Sequence, residues 1–301
     1  MVGESKMQTL EELTRHSPKY TAAAYRIPIG EATTCIALVK ELCSIHDIQT
    51  PYILKPDVGQ RGAGVKLIRN DEQLKAYFIK SHGDTVLQKY SPGPFEAGVF
   101  YYRFPGQKNG KVLAITEKVF PEIQGNGSST LEELLWEDPR ARIMSAKFLL
   151  RMGERRTEIL PKGTIYRLVE AGNHAQGCIF KDGMKELHTT ELEQCIDTIS
   201  KQVTGFYIGR YDIRYSTREE LKTAVSFQII ELNGAASEVT SIYDEHNTLW
   251  NAYRMLRLQW SLVFEIGAVN RKNGKQPMGL FEFLSLWRKV AGELSTLPIS
   301  D

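Results

Sequence analysis

An α+β fold is what the 301-residue sequence predicts, and three observations carry that expectation. Short runs of β-favouring residues come in pairs joined by turn-rich links, as in Glu96 to Phe104 and Lys111 to Phe120 around Pro105 to Gly110. Apolar residues recur at helical spacing in segments between such pairs. The composition, 42% hydrophobic and 25% charged, is that of an ordinary globular protein with enough apolar content for a sizeable core.

Taken in order, Leu10 to Leu13 reads as a short helix before a loop through His16, Ser17 and Pro18. Glu31 to Ile45 sets Ile36, Val39 and Leu42/Cys43 on one helical stripe. Pro51 opens a strand, Tyr52 to Lys55, which breaks at Pro56 into a glycine-rich loop, and Val65 to Ile68 is the returning strand. A helix over Asp71 to Lys80 turns Leu74, Tyr77 and Phe78 inward; the strand Thr85 to Tyr90 stops at Pro92-Gly93-Pro94. Ser129, with Glu132 three residues on, predicts a capping box for a helix over Leu131 to Trp136. Arg151 to Glu158 is charge-rich and reads as a solvated helix or loop. Glu191 to Val203 carries Leu192, Ile196, Ile199 and Val203 on one side. Leu249 to Phe264 is the most regular helix, and its stripe of Leu249, Tyr253, Leu256, Trp260 and Val263/Phe264 is expected in the core. The seam falls at Tyr90 to Pro94, dividing residues 1–90 from 91–301.

Lys and Arg number 38 against 36 Asp and Glu, so a net +2 leaves no global field to recruit nucleic acid or an anionic membrane. Any anion site must be local. Cys35, Cys43, Cys178 and Cys195 have no C-x-x-C spacing and read as reduced thiols of a cytoplasmic protein. The first seven residues contain no signal-like apolar run, and no stretch of 18 residues avoids charge, so no membrane span is expected.

Two stretches carry chemistry. Phe206 to Arg214 and Ser226 to Asn233 read as strands joined across the polar loop Ser216 to Lys222. Side chains alternate along a strand, so Arg210, Asp212 and Arg214 share one face, as do Glu231 and Asn233. If the strands pair, three hard oxygen donors and an arginine meet, which suits Mg²⁺ held between protein and polyphosphate; the other reading is an amphipathic hairpin with a solvated polar face. In the second stretch, Lys55 precedes Gly59, Gly62 and Gly64, where backbone N–H groups can approach an anion. It is neither a Walker A loop nor a dinucleotide fingerprint, since it leads into a strand; a plain tight hairpin is the alternative.

Together the two stretches, in this order, resemble the ATP-grasp superfamily, and most closely its D-alanine:D-alanine ligase-like, carboxylate-amine ligase branch. Gln88-Lys89-Tyr90-Ser91-Pro92-Gly93-Pro94-Phe95-Glu96 is similar to that branch's adenine hinge, and Lys6 lies 49 residues before Lys55, as its two ATP-binding lysines do. Gly3-Glu4-Ser5-Lys6-Met7, Lys55-Pro56-Asp57, Phe100 to Arg103, Gly172-Asn173-His174 and Glu231 to Gly234 resemble a little-characterised bacterial family of this kind. The N-terminal domain that normally precedes Ser5-Lys6 is missing from the resemblance, so a homodimer mate or another partner would replace it.

The resemblance implies two α+β subdomains whose antiparallel sheets clasp ATP, residues 1–90 forming the lid and 91–301 the core with the metal. It implies Lys6 and Lys55 on the α- and β-phosphates, with the amides of Gly62, Ala63, Gly64 and Val65 over the γ-phosphate. Gln88, Lys89 and Tyr90 would meet adenine, the last two through their backbone, and Glu96 the ribose hydroxyls. Asp212, Glu231 and Asn233 would hold one or two Mg²⁺, or Mn²⁺. Arg210 would stabilise an acyl phosphate and the tetrahedral intermediate, Lys118 would reach the phosphates or lie exposed on its strand, and His174 would bind substrate, act as a base or be structural. Arg103 would clamp a carboxylate or pair with a neighbour, and Ser237 and Glu238 would border the acceptor. The implied activity is an ATP- and Mg²⁺-dependent ligase joining a small-molecule or peptide carboxylate to an amine or thiol. A phosphotransferase acting on a hydroxyl and a nucleotide-binding module with reduced catalysis are the other readings.

Overall fold

The computed structural model describes residues 4–59, 62–81 and 83–294, which form two antiparallel sheets, a two-stranded ribbon and the helices around them. Gly3 of the N-terminal motif and Gln60 and Arg61 of the glycine-rich loop lie outside the described residues. Helix α1 (Lys6–His16) is longer than the Leu10 to Leu13 segment predicted. Ser5 caps it by accepting from the Gln8 N–H, and Met7, Leu10 and Leu13 are its buried residues.

The first sheet takes β1 (Ala24–Ile27), then β2 (Tyr52–Pro56) and β3 (Lys66–Ile68) after α2 (Ala32–Ile45), and β4 (Thr85–Lys89) after α3 (Asp71–Lys80). Its strand order is β1-β4-β2-β3, all antiparallel. Strand β1 gave no pattern in the sequence because Ala24 and Arg26 do not alternate sharply with Tyr25 and Ile27 in burial. Val39 of α2 and Leu74 and Tyr77 of α3 pack on Ile27, Leu54 and Leu87 to give this sheet its core.

Next come β5 (Phe95–Tyr102), β6 (Lys111–Val119), β7 (Glu122–Gln124), α4 (Leu131–Glu137), α5 (Ser145–Met152), β8 (Ile165–Arg167), β9 (Ile179–Asp182), α6 (Met184–Leu187), α7 (Thr190–Gln202), β10 (Ile208–Tyr215), α8 (Arg218–Lys222) and β11 (Gln228–Asn233). The second sheet runs β11-β10-β5-β6-β9, while β7 and β8 form the ribbon. Its core packs Ile196 and Ile199 of α7 against Val99, Tyr101, Tyr211 and Ile213. Leu13 of α1 joins this core, whereas Met7 and Leu10 pack with Val86 of the first sheet, so α1 touches both sheets.

Three expectations change. The cap of α4 is Thr130 with Glu133, one residue later than Ser129 with Glu132, because Asn126 accepts from the Ser128 and Ser129 N–H groups and holds Ser129 in the preceding turn. The link from Ser216 to Lys222 is mostly helix α8, nucleated by its own capping box of Thr217 and Glu220. Helix α9 (Leu249–Lys272) does not bury the stripe assigned to it: Leu249, Tyr253, Trp260 and Phe264 are 69%, 59%, 46% and 71% exposed. Leu262 and Ile266 turn inward instead, onto Phe100, Ile208 and Val239. Periodicity finds that a helix has an apolar face, but α9 has two and only one meets the sheet. Helix α10 (Leu280–Leu294) follows. All four cysteines are free thiols. Among the described residues no helix is long and apolar enough to cross a membrane.

Candidate functional site

Asp57, in the bend just after β2, ties the chain's first helix to the strand that carries Lys55. The Ser5 hydroxyl donates to its carboxylate at 2.8 and 2.9 Å, and the Met7 N–H donates to it at 2.7 Å. Its carbonyl accepts from the Lys6 N–H at 3.1 Å. A carboxylate at a helix N-terminus satisfies amides that have no intrahelical partner and complements the dipole. The result is that Lys6 is held beside the loop, its Nζ donating to the Gly59 carbonyl at 2.9 Å and lying 3.8 Å from Glu231. Neither residue of the Ser5–Asp57 pair was singled out for this role, although both sit in motifs quoted from the sequence.

Lys55 is buried, and its Nζ donates to Gln88 Oε1 and the Ile230 carbonyl, both at 2.9 Å. Burial pushes its amine down to about 8, and Lys6 adds to the fall while Glu231 opposes it. Gln88 therefore works through its side chain, as an acceptor for Lys55. The Lys89 N–H donates to the Ala23 carbonyl at 2.8 Å, so that amide is not offered to an adenine edge as expected. Gly62 and Gly64 both have φ of +73°, the conformation that glycine at these positions was expected to permit.

Strand pairing brings Asp212 opposite Glu231 and Arg210 opposite Asn233, with a bulge just after Asp212. Asp212 is buried and receives the Arg210 Nε at 3.0 Å and the Lys118 Nζ at 3.1 Å on Oδ1. Asn233 Nδ2 donates to its Oδ2 at 3.4 Å. Burial raises this carboxyl, but Arg210 and Lys118 outweigh burial and hold it below the usual aspartate range. Lys118 is thus buried in the site and not exposed on its strand: burial lowers its amine, and Asp212 and Glu96 more than restore it.

Glu96, expected to meet ribose, is 2% exposed with both oxygens engaged, Oε1 by Lys118 at 2.7 Å and Oε2 by Arg214 Nε at 3.0 Å. Against the cost of burial these cations hold it ionised, below the usual glutamate range. Its first structural role is to join Lys118 to Arg214. Arg214 also donates to the Ser91 carbonyl at 3.3 Å and the Glu170 carbonyl at 2.5 Å, and its guanidinium lies over Tyr90 and Phe120. The period-two reading placed Arg214 on this face but gave it no function.

One cleft between the two sheets, about 110 Å³, is walled by Lys55, Gly62, Val65, Gln88 to Ser91, Glu96, Lys118, Glu170 to Asn173, Asp212, Arg214 and Glu231; Lys6, Arg210 and Asn233 reach it through Glu231 and Asp212. Gly62 of the hairpin faces Ala171 and Asn173 across it. Gly172 comes so close to Glu96 that a Cβ there would sit 2.1 Å from Oε1. Gly172→Ala is expected to displace the Glu96 carboxylate and lower thermal stability by about 1–3 kcal/mol, readable as a shift in urea midpoint. An unchanged midpoint would show that Glu96 has room to move.

Two expected site residues are not brought in. His174 donates from Nδ1 to the Cys178 carbonyl, stacks on Tyr243 and lines none of this cleft. Arg103 lies over the Tyr207 ring, its Nε buried without a hydrogen-bond partner, and also does not line it.

No protein-family model matches the chain. Among curated proteins it is 25% identical over 244 residues to the cyanophycin synthetase of Geminocystis herdmanii, covering 73% of this chain and 27% of that protein. The cyanophycin synthetase of Crocosphaera subtropica is 28% identical over 236 residues, covering 69% and 26%. The chain thus spans about a quarter of the length of these relatives. Among solved structures, the D-alanine–D-alanine ligase of Bacillus anthracis matches at 13% identity with a TM-score of 0.47, covering 91% of this chain and 70% of that one.

Proposed function

We propose, from the premise that the chain has the ATP-grasp fold and is distantly homologous to the ATP-grasp region of cyanophycin synthetases, that it is an ATP-dependent ligase joining a carboxylate to an amine or thiol. The observation that carries this reading is Asp212, an ionised buried carboxylate gripped by Arg210 and Lys118 on the side of the cleft that also bears Glu231. Residues 1–90 would act as the lid and 91–301 as the core.

The cleft wall balances Lys55, Lys89, Lys118 and Arg214 against Glu96, Glu170, Asp212 and Glu231, and Lys6 and Arg210 stand beside it on Glu231 and Asp212, so these two added cations favour a polyanion. In this reading Lys6 and Lys55 bind the α- and β-phosphates, and the Gly62 to Val65 amides cover the γ-phosphate. A cleft of about 110 Å³ is small for a ligand, so the hairpin would lift from Ala171 and Asn173 to admit nucleotide. Arg210 donates to the Glu238 carbonyl as well as to Asp212, which fixes its guanidinium at the end of the cleft where the acceptor would arrive. There it would stabilise charge on the acyl phosphate and on the tetrahedral adduct.

Mg²⁺ fits the donor set. Asp212 and Glu231, paired across the strands, and Asn233 supply hard oxygens. Asp212, Glu231 and Asn233 would hold it, and it would supply the charge neutralisation that phosphoryl transfer needs.

Calorimetry with Mg·ATP tests the premise; no heat at millimolar nucleotide would end it. Once a substrate pair is found, a ligase releases ADP and free phosphate only when the nucleophile is present, whereas a phosphotransferase leaves the phosphate on its acceptor. Lys55 gives a pH signature. With its amine at about 8 instead of 10.5, the folded apo protein holds fewer protons than the unfolded chain between those values, so this lysine's contribution to stability rises with pH there. Phosphate binding favours the protonated form. Nucleotide affinity is therefore expected to fall roughly tenfold per pH unit above 8, with proton uptake on binding that Lys55→Met abolishes. Equal binding heats at pH 8.5 in buffers of different ionisation enthalpy would contradict this.

A further inference from the structure

The two C-terminal helices present an apolar surface that nothing among the described residues covers. On α9 the exposed stripe of Leu249, Tyr253, Trp260 and Phe264 lies on a different side from Leu262 and Ile266, which pack on the sheet. On α10 Leu280, Leu284 and Trp287 are 69%, 42% and 52% exposed at helical spacing. Each of these seven side chains keeps at least 42% of its surface in water. A 15-residue helix without tertiary packing is also marginal in water.

Charge decides what covers it. Residues 249–294 contain seven Lys or Arg and three Glu, although the whole chain carries only +2. At about 100° per residue, Arg257 borders the α9 stripe and Arg288 the α10 stripe, while Glu265 and Glu282 fall on the far sides. A second copy docked stripe to stripe would bring like-charged borders together. Arg257 and Leu258 of α9 line an open cleft with Asp182 and Ile242 beside the stripe, and the stripe residues themselves line none of the clefts described. Tryptophan and tyrosine beside arginine on an amphipathic helix suit the headgroup level of a bilayer.

We infer that α9 and α10 form a peripheral docking surface for an anionic lipid bilayer, lying in its interface without spanning it. The local charge of this segment supplies the membrane attraction that the net charge of the chain does not.

Flotation of the full chain with vesicles of equimolar phosphatidylglycerol and phosphatidylcholine tests this. The chain is expected to float with these vesicles, to bind pure phosphatidylcholine at least tenfold more weakly, and to detach as salt is raised. Tryptophan emission should shift to shorter wavelength on binding. Arg257→Glu with Arg288→Glu should weaken partitioning at least tenfold, at about fivefold per cation. Phe264→Asp with Trp287→Asp should abolish it, and unchanged circular dichroism would exclude misfolding. A chain that stays in the aqueous phase overturns the inference, whether sedimentation finds it monomeric or finds a dimer that Phe264→Asp dissociates. Equal binding to neutral and anionic vesicles also overturns it.

Discussion

Asp212→Asn should fold with lower stability and lose cation binding in the presence of nucleotide. The substitution keeps volume and one acceptor oxygen but removes the charge between Arg210 Nε and Lys118 Nζ, at 3.0 and 3.1 Å. Lys118 is buried and Arg210 largely so, and each would retain its desolvation cost without its anion; removing one member of such a group costs about 3–5 kcal/mol. Lys118 would then lose the largest influence holding its amine up, leaving Glu96 as its carboxylate partner. The functional loss should be larger than the structural one, on the order of 10²–10³ in turnover, because groups aligned with developing charge matter most in the transition state. Urea unfolding reads the first effect, and Mn²⁺ paramagnetic resonance with ATP present reads the second. Full Mn²⁺ occupancy in Asp212→Asn would remove this aspartate from the cation site. Glu231→Gln serves as the comparison, since Glu231 is part-exposed and its ion pair with Lys6 is long, at 3.8 Å, so its loss should spare stability.

The pairing of Asp212 with Glu231 was legible because alternation along a strand is geometric: a period of two fixes which side chains can meet once the strands are neighbours. The positive φ of Gly62 and Gly64 was legible for a similar reason. What stayed hidden depends on partners far apart in the sequence. Asp57 reads as a turn residue until Ser5 arrives to be capped, and Lys118 reads as an ordinary strand lysine until β6 is placed beside β5. The Lys89 amide looks available until β1, a strand without an alternating pattern, pairs with β4. The α9 stripe failed in the opposite way: its local pattern was strong, but the sheet needs only one of the helix's two apolar faces.

Arg214→Met is expected to weaken nucleotide binding at least tenfold without touching a phosphate. Arg214 draws three separate parts of the cleft onto one guanidinium: the Glu96 carboxylate, the Ser91 carbonyl of the hinge and the Glu170 carbonyl of the loop facing the glycine hairpin. Tyr90, the residue before Ser91, lies under the same group. Methionine fills part of the volume and leaves two carbonyls and one carboxylate oxygen without this donor, so a loss of about 3–5 kcal/mol in stability should accompany the loss of affinity. Arg214→Lys separates charge from geometry. It keeps a cation near Glu96 but cannot fork to three acceptors, so it should recover part of the stability while affinity stays low. If the lysine variant binds Mg·ATP as tightly as the parent chain, neutralising Glu96 is the whole of Arg214's contribution. If it does not, Ser91 and the Glu170 loop are held in register by the shape of the guanidinium, and nucleotide recognition in this cleft extends to a wall residue that touches no phosphate.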